Sequence, residues 1–92
     1  MDAKSRYLVE LESPQGGWAD LRLAASRARE AARELQEEGL AVRFLRTIFV
    51  PEDDACFFLY EGPSREAVAE AASRAALVAA GVQETIRRRS ES

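Results

Sequence analysis

The 92-residue chain is long enough for one domain, which buries about two-thirds of its unfolded surface in a single core. Hydrophobic residues make up 47% and charged residues 32%, which excludes the composition of a disordered chain. The net charge of −3 argues against general nucleic-acid binding, because such binding depends on neutralising many phosphates with Lys and Arg.

The single cysteine and the start of the chain bear on the cellular compartment. Cys56 has no second cysteine to pair with, so folding does not depend on an oxidising environment. Residues 1–6 are charged where a secretory signal would become apolar, and no apolar run approaches the roughly 20 residues that span a bilayer. We therefore expect a cytoplasmic protein that does not enter a membrane.

The first part of the chain predicts a strand followed by a helix. Polar and apolar residues alternate over residues 6–12, which is the period of a β-strand. After Gly16 and Gly17 comes a segment rich in Ala, Leu, Arg and Glu, which are strong helix formers. The helix is expected to end at Gly39, because glycine readily adopts the left-handed conformation that terminates helices. We expect it to begin close to Trp18 and to bury Trp18, Leu21, Ala25, Ala28, Ala32 and Leu35.

A β-hairpin is predicted next. Residues 42–50 and 55–61 are rich in β-branched and aromatic side chains, and residues 51–54 between them are typical of a turn. On simple alternation, the first of these strands places Phe44 and Ile48 on one side of the sheet, and the other side receives Leu45 and Phe49.

The last part of the chain predicts a second helix and an edge strand. Ser64 is a suitable N-cap, since its hydroxyl can accept a hydrogen bond from a free amide of the first turn. Gly81 is expected to mark a new turn, followed by an edge strand over residues 82–88 with polar side chains that discourage edge-to-edge pairing. The apolar stripe of this helix is predicted to contain Ala67, Val68, Ala71, Ala72 and Ala75.

These elements predict an α+β ferredoxin-like βαββαβ sandwich. Two right-handed crossovers place both helices on one face of a four-stranded antiparallel sheet of order 4-1-3-2. Residues 1–92 are expected to form one domain, with a disordered tail at about residues 89–92.

The sheet is predicted to be apolar on both faces, although the helices can cover only one of them. An exposed apolar face is typical of a surface that binds a partner or ligand. We expect self-association through this face, while the alternative is that loops and the chain ends cover it. The residues predicted to form the ligand or dimer face are Leu45, Phe49, Phe58 and Tyr60.

The sequence lacks the residues of most familiar catalytic sites. It contains no histidine, which removes the commonest general base, the usual ligand of zinc, nickel and copper, and every Ser-His or Cys-His pair. We therefore assign no catalytic residue, no metal ligand and no cofactor. On the predicted strands, the charged groups of Glu10, Arg43 and Glu61 are expected to contact a ligand, and we call these residues the polar handles. The alternative is that they form ordinary surface ion pairs.

The hairpin and the following helix carry a family resemblance. Residues 42–54 and 56–68, together with the opening Tyr-Leu-Val-Glu strand at residues 7–10, resemble small bacterial domains of the DUF4242 or nickel-binding-protein-like family. The resemblance covers nearly the whole chain, and it implies the ferredoxin-like fold and a homodimer. It also implies an association with nickel, which we assign to no residue because the chain has no histidine and one cysteine expected in the core.

Three functions remain open on the sequence. The first is a non-catalytic homodimeric binding or accessory domain, whose paired sheet faces can enclose a small apolar ligand. The second is a cofactor-independent enzyme of the dimeric α+β barrel kind, with Tyr60, Glu61 or Arg43 as polar handles for a small apolar substrate. The third is binding of a metal ion through the oxygens of Glu10, Glu12 and Glu61.

Overall fold

A computed structural model of the chain describes residues 5–12, 21–77 and 79–85. The strands form one antiparallel sheet in the order β2-β3-β1-β4, which confirms the predicted α+β ferredoxin-like arrangement. A short 3-10 turn at Pro51–Asp53 joins the two strands of the hairpin. The elements are β1 (Ser5–Leu11), α1 (Leu21–Glu37), β2 (Arg43–Val50), β3 (Ala55–Gly62), α2 (Arg65–Arg74) and β4 (Ala79–Glu84).

Both helices pack on the same face of the sheet. Helix α1 contacts β2, helix α2 contacts the other three strands, and the two helices contact each other. The core between helices and sheet includes Tyr7, Val9 and Leu11 of β1 and Cys56, Phe58 and Tyr60 of β3. Register pairs these side chains directly across the two central strands, so the core is built on β1 and β3.

Small side chains form the buried stripes of the helices, and they allow the helices to lie close to the sheet. The buried residues of α1 are Ala28, Ala31, Ala32 and Leu35. Those of α2 are Ala67, Val68, Ala71 and Ala72, and Ala75 follows at its C-terminal end. The predicted stripe of α2 is confirmed. That of α1 is confirmed at Ala28, Ala32 and Leu35, whereas Leu21 and Ala25 are half-buried and Ala31 is a buried residue that was not predicted. Trp18 lies outside the described residues.

The N-terminus of α2 is capped as predicted. The side-chain oxygen of Ser64 accepts a hydrogen bond from the Ala67 backbone N–H at 3.1 Å. Substitution of such a cap by Ala typically costs about 1 kcal/mol of stability. The chain therefore enters α2 directly after the hairpin.

The C-termini of both helices form the same hydrogen-bonded motif. In α1 the Leu40 N–H bonds to the Leu35 carbonyl at 2.9 Å, and Gly39 between them adopts φ +98°. In α2 the Leu77 N–H bonds to the Ala72 carbonyl at 3.1 Å, and Ala76 adopts φ +61°. The predicted end of α1 is confirmed, whereas α2 ends earlier than predicted because an alanine takes the left-handed position that usually favours glycine.

Strand β4 differs from its prediction at its start. It begins at Ala79, so Gly81 lies inside the strand and marks no turn. Gly81 pairs with Glu10 in the β1–β4 ladder, beside an irregularity of the register between Glu10 and Leu11. Residues 86–88 of the predicted strand and the predicted tail lie outside the described residues.

An irregularity in β2 decides which side chains face the helices. Phe44 lies opposite Tyr60 and Arg46 lies opposite Leu59, so Leu45 is an extra residue without a partner in the register. Such a β-bulge reverses the alternation for the rest of the strand. The predicted alternation of β2 is therefore wrong, since Phe44 and Phe49 share the helix side of the sheet and Ile48 is on the other side.

Phe44 confirms this assignment through its contacts. Its ring packs edge-on against Phe58 and Tyr60, with ring centroids 5.0 Å and 5.6 Å apart. The guanidinium carbon of Arg29 on α1 lies 5.3 Å from the centroid of the same ring. Edge-on aromatic pairs and cation–π contacts are each worth about 0.5–1.5 kcal/mol, so Phe44 helps to fix β2 beneath α1.

Candidate functional site

The face of the sheet opposite the helices is apolar at its centre. Leu8 on β1 lies opposite Leu59 on β3, and Phe57 on β3 lies opposite Ile48 on β2. Their neighbours along β1 and β3 point into the helix-covered core, so these side chains point away from both helices. We call this surface the open face and Leu8, Ile48, Phe57 and Leu59 its apolar centre. Leu59 is 7% exposed and the other three are half-buried.

Charged side chains frame the apolar centre. Glu61 lies between Arg6 on β1 and Arg43 on β2, and the Arg43 Nη1 atom is 3.6 Å from Glu61 Oε1. Arg46 and Glu10 lie beside the apolar centre, each directly opposite one of its residues. The side chain of Arg43 is 61% exposed, so its ion pair with Glu61 contributes about 1 kcal/mol or less. The open face thus combines an apolar centre with charges of both signs.

The structure corrects the placement of the predicted ligand or dimer face. Phe58 and Tyr60 are 0% exposed and belong to the core beneath the helices. Phe49 lies opposite Cys56 on the helix side of the sheet, although 44% of its surface is exposed. Leu45 is the extra residue of the bulge. None of these four residues belongs to the apolar centre, because the helices cover the face that carries Phe58 and Tyr60.

The predicted polar handles divide between the two faces of the sheet. Glu10, Arg43 and Glu61 lie on the open face, whereas Tyr60 lies on the helix-covered face. The Tyr60 hydroxyl is buried and has no hydrogen-bond partner. Burial raises the pKa of the Tyr60 phenol far above its ordinary value, so the group stays neutral. Tyr60 therefore does not lie in one site with Glu61 and Arg43.

Comparison with known proteins assigns the family. The family described as "Nickel responsive protein SCO4226-like" matches residues 7–84. The chain belongs to this nickel-responsive family. Its structure is similar to the crystal structure of SCO4226 from Streptomyces coelicolor A3(2), with 25% sequence identity and a TM-score of 0.67 over 92% of this chain and all of that one. No curated protein matches the chain.

The family assignment agrees with the nickel-related resemblance of the hairpin and the opening strand, while the narrower DUF4242 label stays a prediction. It also agrees with the shared fold, since the SCO4226 structure superposes on nearly the whole chain. In the described part of the chain, no helix is long and apolar enough to cross a membrane.

The described residues of this member of the nickel-responsive family do not fit a nickel site. Glu10 is on β1 and Glu12 follows the last residue of that strand, but Glu61 lies opposite Arg6 at the other end of β1. At about 3.3 Å per residue, Glu10 and Glu61 are separated by roughly 13 Å. Across residues 5–12, 21–77 and 79–85, no three His, Cys, Asp or Glu side chains come together in an arrangement that could hold a metal ion.

A second surface lies in the groove between the helices. Arg74 on α2 forms two hydrogen bonds with the Glu38 carboxylate, at 2.6 and 3.2 Å, and Arg27 donates from Nε to the Ala75 carbonyl at 3.1 Å. The Arg74 guanidinium lowers the pKa of the Glu38 carboxyl through this hydrogen bond. The arginines of this groove are therefore engaged in joining the helices, and the open face is the better candidate for a binding surface.

Proposed function

We propose that this member of the nickel-responsive family is a non-catalytic binding or accessory domain that forms a homodimer through its open face. The observation that carries the proposal is the contiguous apolar centre of Leu8, Ile48, Phe57 and Leu59 on the side of the sheet opposite both described helices. The paired faces can also enclose a small apolar ligand.

The hydrophobic effect supplies the driving force for this association. Removing apolar surface from water stabilises a complex by about 25 cal/mol per Å². Two sheets pack face to face about 10 Å apart when their side chains interdigitate, so an apolar centre on each copy can form a shared core. Phe57 and Ile48 contribute most to this gain, because both are large and still half-exposed in one copy.

The charges of the open face favour a second copy as the partner. A two-fold axis that runs parallel to the strands between β1 and β3 exchanges the two central strands of the two copies. Leu8 of one copy then lies over Leu59 of the other, and Arg6 lies over Glu61. In the same arrangement Glu10 of one copy lies over Phe57 of the other. The surface is thus complementary to itself at the Leu8–Leu59 and Arg6–Glu61 pairs.

Replacement of Phe57 by Glu tests the proposal. This substitution places a charge at the apolar centre, where a face-to-face dimer would bury it without a partner, and Phe57 is not part of the core beneath the helices. We expect light scattering during size-exclusion chromatography to give a monomer for Phe57→Glu and a dimer for the unmodified chain.

Leu23→Glu is the matched control. Leu23 is 57% exposed on α1, on the opposite side of the molecule, so this variant gains the same charge outside the open face. It should remain a dimer. A folded Phe57→Glu variant that keeps the dimer mass would contradict the proposal.

A further inference from the structure

We infer that this chain, although it belongs to the nickel-responsive family, does not hold nickel as a resident ion. The inference concerns the donor atoms of the chain and is independent of whether the open face forms a dimer. The chain would then belong to the family without a donor set for the nickel that the family's description names.

The chain offers no suitable nitrogen ligand among its side chains. Imidazole is a preferred ligand of nickel in proteins, and none of the 92 residues is histidine. The side-chain nitrogens of Lys and Arg are protonated at neutral pH and act as hydrogen-bond donors only. A nickel site made of side chains therefore has to be built from sulfur and oxygen.

The sulfur of Cys56, the one cysteine of the sequence, is buried in the core. Cys56 is 0% exposed and lies between Leu11 on β1 and Phe49 on β2 in the sheet register. A metal ion binds the thiolate form, and burial raises the pKa of the Cys56 thiol. The sulfur is thus a neutral part of the apolar core and is not presented to solvent.

The carboxylates of the open face are separated, and one of them already has a cationic neighbour. Glu10 and Glu61 lie roughly 13 Å apart along the sheet at about 3.3 Å per residue. Arg43 lies 3.6 Å from Glu61, and its positive charge opposes the approach of a metal cation. Carboxylates are also hard ligands that suit Mg²⁺, Ca²⁺ and Mn²⁺ better than nickel.

Native mass spectrometry of the untagged chain with added nickel sulfate at pH 7 tests the inference. We expect the nickel-free mass to persist up to about a tenfold molar excess of nickel, because no site binds the ion tightly enough to survive transfer. The positive control is the double variant Ser26→His, Glu30→His. These positions are one helical turn apart on the exposed side of α1, so the variant gains a histidine pair of the kind that binds transition metals. It should acquire one nickel ion.

A stoichiometric nickel adduct on the unmodified chain, with a dissociation constant of about 10 µM or lower, would overturn the inference. An adduct found only on the dimer would overturn it too, since the site would then lie between two copies. The same spectra report the oligomeric mass separately, so a nickel-free monomer would contradict the proposed dimer and still support this inference.

Discussion

The Tyr60 hydroxyl is the one buried side-chain oxygen in the described part of the chain that lacks a hydrogen-bond partner. Its ring is well placed, since it packs edge-on against Phe44 at 5.6 Å between centroids. A buried hydroxyl without a partner typically costs about 1–3 kcal/mol, because it loses its hydrogen bonds to water and gains none in return. The aromatic ring of Tyr60 thus stabilises the core while its oxygen opposes that effect.

We therefore predict that Tyr60→Phe raises the free energy of unfolding by about 1 kcal/mol at pH 7. Urea denaturation measures this change, and Tyr7→Phe on the strand opposite is the control, because the Tyr7 hydroxyl is not buried without a partner. A loss of stability in Tyr60→Phe would show that its hydroxyl has a partner after all.

The difference in the free energy of unfolding between Tyr60→Phe and the unmodified chain depends on pH. Because burial raises the pKa of the Tyr60 phenol, the unfolded chain loses this proton first as the pH passes the ordinary value of about 10. Titration of Tyr60 therefore leaves the free energy of unfolding unchanged below that pH and decreases it above that pH. The advantage of Tyr60→Phe over the unmodified chain should therefore grow above about pH 10.

At the scale of the elements, the two helix ends form a matched pair. The same motif is completed by Gly39 in α1 and by Ala76 in α2, and both adopt positive φ angles. A left-handed conformation costs a residue with a side chain roughly 1 kcal/mol, whereas glycine adopts it freely. The end of α2 is consequently strained in a way that the end of α1 is not.

We predict that Ala76→Gly increases the free energy of unfolding by about 0.5–1 kcal/mol and that Gly39→Ala decreases it by about 1 kcal/mol. Ala76 is exposed, and a methyl group at Gly39 would meet nothing within 4 Å, so both changes act through the backbone. Urea denaturation measures both effects, as shifts of the midpoint concentration with no change in the dependence of the free energy of unfolding on urea concentration. Equal effects in the same direction would contradict this account.

The bulge in β2 gives a second prediction at this scale. Deletion of Leu45 should keep every other side chain of β2 on its present face, because Leu45 is the extra residue of the register. We expect that deletion to cost less than about 2 kcal/mol. Deletion of Thr47, by contrast, would bring Arg46 opposite Phe58 on the helix side of the sheet, at a half-exposed position, and partial removal of that charge from water should cost more than the deletion of Leu45. Thermal denaturation followed by circular dichroism compares the stability of the two deletion variants. Equal losses of stability would show that the bulge does not set the register.

Element order and most of the helix stripes could be predicted from the sequence, because the periodicity, Gly39 and the Ser64 cap all agreed. Which face of the sheet the helices cover could not be predicted from the apolar residues alone, since both sides of β3 are apolar. Charge was the missing signal, because Arg6 and Glu10 share a side of β1 with Leu8. The end of α2 was missed because Ala76 is a poor indicator of a left-handed residue.

The bulge also left a trace in the sequence. Arg43 and Arg46 are three residues apart, so a regular strand would place one of them beneath the helices. Because a buried arginine without a partner is costly, the spacing itself favours an extra residue between them. The same reasoning would have moved Phe44 to the helix side and identified Ile48 as part of the apolar centre.

In the whole molecule, we propose that a second copy covers the apolar centre of the open face. The helices cover only the other face among the described elements, so one copy leaves Phe57 and Ile48 half-exposed. A charge-framed apolar surface of this kind is typical of an interaction site.

The native mass of the unmodified chain tests whether two copies form a dimer. At micromolar concentration in a buffer of physiological ionic strength, we predict a species of twice the 10.2 kDa of one chain, and dilution should release the monomer. A mass of 10.2 kDa that persists as the concentration is raised would contradict the account, because the apolar centre would then have no second copy to cover it.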